Sequence, residues 1–278
     1  MFDTLERVEL AADLTPESLR STLNDVLAEL GDRVAPTSLA RERLVPVHES
    51  LRPLFPDGGL VRGRVHACSG SGGTTMAMAM ARDAVVSGAW MAVVDVDTFG
   101  VDAASELGVA LERVVRVDTG GDGHTADDAD AVDRADPAVD PGRRWLEVMA
   151  AAVDGFDIVL ATVPTAWRTP EGARRASGGL RSLVARLQQR GSVVILTGPT
   201  GSVPVDVSVR ANSTWEGLGH GHGVISSRQL RARSTGRRQP NPASCELELV
   251  AAGHRLELRA VPEVGTDHVS SPDLRLVV

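Results

Sequence analysis

Five short apolar runs separated by helical windows constrain this chain more than any other feature in it. The runs are Val65–Ser69, Ala89–Asp97, Arg113–Val117, Asp157–Val163 and Ser192–Gly198, each the length of a strand. Between them lie stretches with helix signals. One spans about Thr74 to Ser87 and stops at Gly88, a short one covers Ala103–Gly108, and another covers Arg143–Val153. The last is capped by Thr169, has Pro170 in its first position and runs to about Arg190. Continuously apolar strands alternating with helices must be covered on both faces. This predicts an α/β fold with a mainly parallel sheet and helices on both sides. After residue 200 the pattern changes. "GVISSRQLRAR", "CELELVAA" and "RLELRAV" alternate apolar with polar, so antiparallel strands are expected to extend the sheet at its C-terminal end.

Outside that core the pattern is simpler. Residues 15–31 predict a small N-terminal helix, with Thr15 as cap, Pro16 first, Gly31 beyond the end, and Leu19, Leu23, Val26, Leu27 and Leu30 on one face. Prolines at 36, 46, 53 and 56 mark 32–56 as an irregular linker. The expected organisation is therefore 1–56 helix and linker, 57–261 core, and 262–278 tail. Within the core, 119–142 is acidic, built of small residues, and expected to be a disordered excursion.

Charge limits the partners. All 29 basic residues are arginine, so no lysine exists to serve a phosphate loop, a Schiff base or a proton transfer. Residues 1–160 carry a net charge of −14 and residues 161–278 a net charge of +6. The balance argues against a general nucleic-acid coat but allows a local basic face in the second half. No apolar run approaches the roughly 20 residues that span a bilayer, and the acidic start lacks a signal-peptide layout, so no membrane is expected and the location is read as cytoplasmic. Cys68 and Cys245 are read as two reduced thiols.

The chemistry-bearing stretch is "ACSGSGGTTMA", Ala67–Ala77. A strand, a Gly-rich turn and a helix form the setting in which backbone amides cradle phosphates, with the full pattern G-x-x-x-x-G-K-[ST]. Gly70, Ser71, Gly72, Gly73, Thr74 and Thr75 are the candidate phosphate ligands, with Asp97 as a possible magnesium-ordering carboxylate. All of these count only if nucleotide binding is retained. Gly73 stands where the lysine belongs. Arg64 or Arg82 could supply a cation, although neither occupies the motif position. The competing reading is a tight strand-to-helix turn that needs glycines for backbone reasons, and it is the one favoured here.

The order "GGLVRGRVHACSG", "TT", "VVDVD", "ELGV", "FDIVLATV" resembles the core of the RecA family of recombinases over about Asp57–Ala260. The resemblance implies a RecA-like core with a degenerate P-loop. The catalytic-carboxylate position falls near Asp97, and the Walker B aspartate position falls on Thr162. The lysine-less short loop and the "DGGLVRG" entry are similar to the ImuA′ type of actinobacterial mutagenesis-cassette protein. That resemblance implies a non-catalytic adaptor in damage-induced (SOS) translesion synthesis. Its implied partners are an ImuB-like inactive Y-family polymerase homologue and an error-prone C-family, replicative-type polymerase, with single-stranded DNA or RecA as further partners. No cofactor is expected on this reading; ATP and Mg belong to the alternative, an atypical P-loop ATPase or ATP-sensing, recombinase-like DNA-binding protein.

The RecA resemblance also places two DNA-gripping loops at about Ala166–Arg175 and Gly198–Gly223. The first offers Arg168, Arg174 and Arg175, and the second is Gly-rich with few charges. Independently, Arg231 and Arg233 share one face of a predicted strand and could meet phosphates, against the plainer reading of a solvated strand edge. His220 and His222 lack partners at metal-ligand spacing and are read as solvated, so no metal site is expected. Asp95 and Asp97 could order magnesium or cap a turn. Trp145 and Trp215 are read as packing residues, and no catalytic residue is proposed.

Overall fold

In the computed structural model, which describes residues 43–119, 140–217, 227–237 and 239–261, the five apolar runs pair into one sheet. The chain divides into two units, Met1–Arg43 and Leu44–Val278, and the sheet with its helices belongs to the second. Expectations for the helix at 15–31, for 120–139, for His220 and His222, and for the tail at 262–278 lie outside the described residues.

The strands are β1 (Leu44–Val45), β2 (Leu60–Val61), β3 (Val65–Ser69), β4 (Met91–Val94), β5 (Val114–Val117), β6 (Ile158–Thr162) and β7 (Val193–Thr197), followed by β8 (Val207–Glu216), β9 (Ser227–Gly236), β10 (Gln239–Ala252) and β11 (Arg255–Val261). The helices are α1 (Gly73–Val86), α2 (Val101–Glu106), α3 (Pro141–Gly155) and α4 (Pro170–Arg190). β1 and β2 pair by themselves, antiparallel. The other nine strands form a single sheet in the order β11-β10-β9-β8-β3-β7-β6-β4-β5. Strands β3 to β7 run parallel, and β8 joins β3 in parallel. From β8 outward every pairing is antiparallel. The predicted α/β class, with a parallel core and antiparallel strands added at the C-terminal end, is the observed architecture.

Alternate residues of the central strands feed two cores, because successive side chains in a strand point to opposite faces. On one face Cys68, Val93, Leu160 and Ile195 pack with Met76 and Met80 of α1 and with Leu51 and Leu54. On the other, Ala67, Val94, Val159 and Leu196 pack with Trp145 and Met149 of α3 and with Leu180 and Leu187 of α4. Trp145 is fully buried, donates Nε1–H to the carbonyl of Thr162 at 2.9 Å, and meets Trp167 edge-on at 5.1 Å. Its reading as a packing residue holds.

Three expectations are corrected. The described part of the expected linker, 44–56, is not irregular surface. It makes β1 and a 3-10 turn over Glu49–Leu54, and it buries Val45, Val47, Leu51, Leu54 and Phe55 in the first core. Its prolines forbid a helical period, yet each of the larger apolar side chains it buries is worth roughly 1.5–3 kcal/mol. Second, much of the expected loop at Gly198–Gly223 is the ten-residue strand β8, whose Val207, Val209 and Ala211 are buried while Ser208, Arg210 and Asn212 are exposed. Small inward residues made that period-2 signal faint. Third, the second strand ends at Val94 rather than Asp97, because Asp95 takes φ +52° and turns the chain. No helix among the described residues is long and apolar enough to cross a membrane.

Candidate functional site

The Gly-rich turn leaves β3 at Ser69 and enters α1 at Gly73, as the strand–turn–helix reading expects. What surrounds the turn is β8. Gly72 donates its N–H to the carbonyl of Ala211 at 3.0 Å, and Ser213 donates its N–H to Ser71 Oγ at 2.9 Å. Gly73 turns back to bond the carbonyl of Gly70 at 3.0 Å. Two amides that a phosphate would need are thus engaged by protein, while Ser71 Oγ serves as an acceptor and keeps its O–H.

Sterics explain Gly70 without a ligand, and a close contact accompanies Gly72. Gly70 has φ +92°, and a Cβ there would stand 2.3 Å from the Ala211 carbonyl oxygen. A Cβ on Gly72 would stand 2.6 Å from Leu230 Cδ2. At Gly70 only glycine lets β8 close this tightly over the turn, whereas at Gly72 the contact is with the tip of a side chain.

The threonines next in the chain are bonded as well. Thr74 Oγ1 shares a 2.7 Å hydrogen bond with Thr98 Oγ1, which ties the β4–α2 connection to the start of α1. Thr75 Oγ1 accepts from Arg228 Nη1 at 2.8 Å, and the same guanidinium donates Nε–H to Ser213 Oγ at 2.6 Å. Arg228 lies 4.3 Å over the ring of Trp215, and partial burial pushes its pKa below the usual arginine range. Trp215 itself is 51% exposed, so its reading as a packing residue is corrected: it is a platform for Arg228. Sequence reasoning did not connect Arg228 with the turn, because its place opposite Trp215 is set by the β8–β9 register. The two arginines it weighed are engaged elsewhere, Arg64 with Asp206 at 3.3 Å and Arg82 with Asp83 at 2.9 Å.

Of the carboxylates, Asp97 is exposed and one residue from Thr98. Asp95 is a turn cap, accepting from the N–H of Thr119 at 2.8 Å and from Thr119 Oγ1 at 2.6 Å. Thr162, at the Walker B position of the resemblance, pairs Oγ1 to Oγ1 with Thr197 at 2.8 Å. A hydroxyl pair cannot anchor a magnesium shell as a carboxylate does. Among the described residues no group of three or more His, Cys, Asp or Glu is placed to hold a metal ion. The turn thus offers a nucleoside triphosphate neither a lysine nor, at Thr162, a second carboxylate. Cys68 and Cys245 are free thiols, and burial pushes both pKa values up, that of Cys245 to about 11.

The basic candidates fall on two elements. Arg168 ends a 3-10 turn at Thr165–Arg168, and Arg174 and Arg175 lie in the first turns of α4. All three are exposed, and Arg175 is bonded to Glu171. Arg231 and Arg233 share the exposed face of β9, where Arg231 pairs with Glu246 at 2.6 Å and Arg233 stands directly opposite Arg210 of β8. Arg210 is a surface cation that sequence reasoning left unremarked; its alternation with Val207, Val209 and Ala211 was the available signal.

No curated protein matches the chain. A family model for the MT3502 N-terminal domain matches residues 53–136 and 125–202, which takes in the turn, its helix and the strands through β7 and stops short of β8. These segments cover more than half of the 278 residues, and the chain belongs to the MT3502 N-terminal domain family.

Proposed function

We propose that this protein is a RecA-like adaptor without catalysis of its own, acting in the cytoplasm in damage-induced translesion synthesis. Its partners on this reading are an ImuB-like inactive Y-family polymerase homologue and an error-prone C-family polymerase. One observation carries the non-catalytic part. The Gly72 amide, at the centre of the Gly-rich turn, is spent on the Ala211 carbonyl of β8. The order of motifs along the chain and the parallel strand–turn–helix core support the RecA-like part. ATP hydrolysis depends on positioning and on neutralising phosphate charge with a lysine and magnesium. The chain has no lysine, and Thr162 replaces the second carboxylate.

The test has two arms. Purified full-length protein is expected to release no phosphate from ATP with magnesium, with or without single-stranded DNA, and to retain an ImuB-like protein in a pull-down. Turnover that disappears in Asp97→Ala would replace this reading with the atypical ATPase or ATP sensor. That second reading has an observation in its favour. Arg228 places a guanidinium on Thr75, beside the helix start, and Asp97 is exposed near Thr98.

A further inference from the structure

The outer face of the antiparallel strands carries an unbalanced row of charge. Across the sheet in register, Ser69 of β3 faces Arg210 of β8, Arg210 faces Arg233 of β9, and Arg233 faces Ser244 of β10. Both arginines are exposed, and among the described residues neither has an ion pair. The next row is Asn212, Arg231 and Glu246, and there the cation is matched by a carboxylate at 2.6 Å. Directly opposed residues have Cβ atoms only about 4.5–5.5 Å apart, and like charges so placed destabilise a sheet. The pair lines a shallow depression of about 440 Å³ that also presents the hydroxyls of Ser69, Ser208 and Thr235 and the amide of Asn212.

From this arrangement the geometry points to a docking site for an extended acidic segment of a partner protein, gripped through two carboxylates by Arg210 and Arg233. The inference rests on the reading of this chain as a contact protein and supplies the chemistry of one contact. Carboxylates two residues apart on an extended peptide lie on one side, about 6–7 Å from each other, a span that two adjacent arginine forks cover. A nucleic-acid strand fits less well. It would need a longer track of cations and aromatic platforms for its bases. The rows from Ser208 to Thr214 on β8 and from Gln229 to Thr235 on β9 present no outward aromatic, and Glu246 and Glu248 border them on β10.

The experiment is fluorescence anisotropy with full-length protein at low salt. Its probes are a labelled alternating Glu-Ser peptide, the matching Gln-Ser peptide, and an oligothymidylate of about 20 nucleotides. The Glu-Ser peptide is expected to bind, the Gln-Ser peptide not, and the double variant Arg210→Gln with Arg233→Gln to weaken binding on the order of tenfold or more. Arg233→Glu should abolish peptide binding while raising Tm by about 1–3 °C, because the new carboxylate faces Arg210. A misfolded variant would lower Tm instead, so lost binding and lost fold are separable. Unchanged peptide affinity in the variants, or equal affinity for the Gln-Ser peptide, overturns the site. Tighter oligothymidylate binding that the variants abolish reassigns the face to nucleic acid. Failure to retain an ImuB-like protein while the peptide results stand would strike the adaptor reading alone.

Discussion

His66 shows what a single side chain carries in this fold. It lies in β3 with 2% exposure, edge-on to Phe55 at 6.0 Å, and its only hydrogen-bonding neighbour is the backbone of Val61, outside good geometry. Burial lowers its pKa from 6.5 to about 4, an effect only partly offset by the nearby Asp206 carboxylate. A histidine depressed in the folded state binds its proton more readily when unfolded. Its neutral form therefore supports the fold fully above about pH 6.5, and that support is lost as pH falls from 6.5 towards 4. The loss is on the order of 3 kcal/mol at most. Urea midpoints should drop between pH 7 and pH 4.5 in the natural protein and drop less in His66→Leu. Parallel curves would mean that His66 does not titrate as buried. Within "VHACS" His66 read only as part of an apolar strand, because one sequence does not tell how deeply a strand position is covered. Gly70 was legible as a backbone requirement of the turn, where its φ of +92° favours glycine.

At the scale of elements, the turn between β3 and α1 is held by the strand that sequence reading did not find. β8 contributes the Ala211 carbonyl to Gly72 and the Ser213 amide to Ser71, and β9 contributes Leu230 above Gly72. The turn is thus a packing joint between the parallel core and the antiparallel extension. Gly70→Ala combines a left-handed φ with a 2.3 Å approach to backbone oxygen, so it should cost at least about 2–3 kcal/mol in denaturant unfolding. Gly88→Ala has open space at its Cβ and differs only in its positive φ, so it should cost about 1 kcal/mol. Equal costs at the two positions would remove the contact with β8 from the explanation. Helix α4 illustrates the opposite case, in which local signals sufficed. Thr169 accepts from the N–H of Gly172, Pro170 is first, and Gly191 closes the helix at φ +73°. Those signals act within a few residues, so tertiary context had little to override.

At the scale of the whole molecule, the matched family segment ends at residue 202 while the first core continues beyond it. Val209, Ala211, Leu230, Ala232, Leu247 and Leu249 all belong to the cluster that contains Met76, Met80, Leu51 and Leu54. A chain ended after Val203 should therefore show no cooperative thermal transition by circular dichroism, whereas the full chain should melt cooperatively. A sharp transition in the truncated chain would make β8 to β11 an accessory layer. The alternation of apolar runs with helical windows, the absence of lysine, and the α/β class follow from the sequence by itself. Burial on two faces and backbone sterics act wherever those residues are placed. Which arginine reaches Thr75, which carbonyl occupies the Gly72 amide, and which two cations stand opposed without a carboxylate were decided only in the tertiary structure. Each depends on the register between strands distant along the chain, and a shift of one residue in that register would turn every side chain of β8 to the other face.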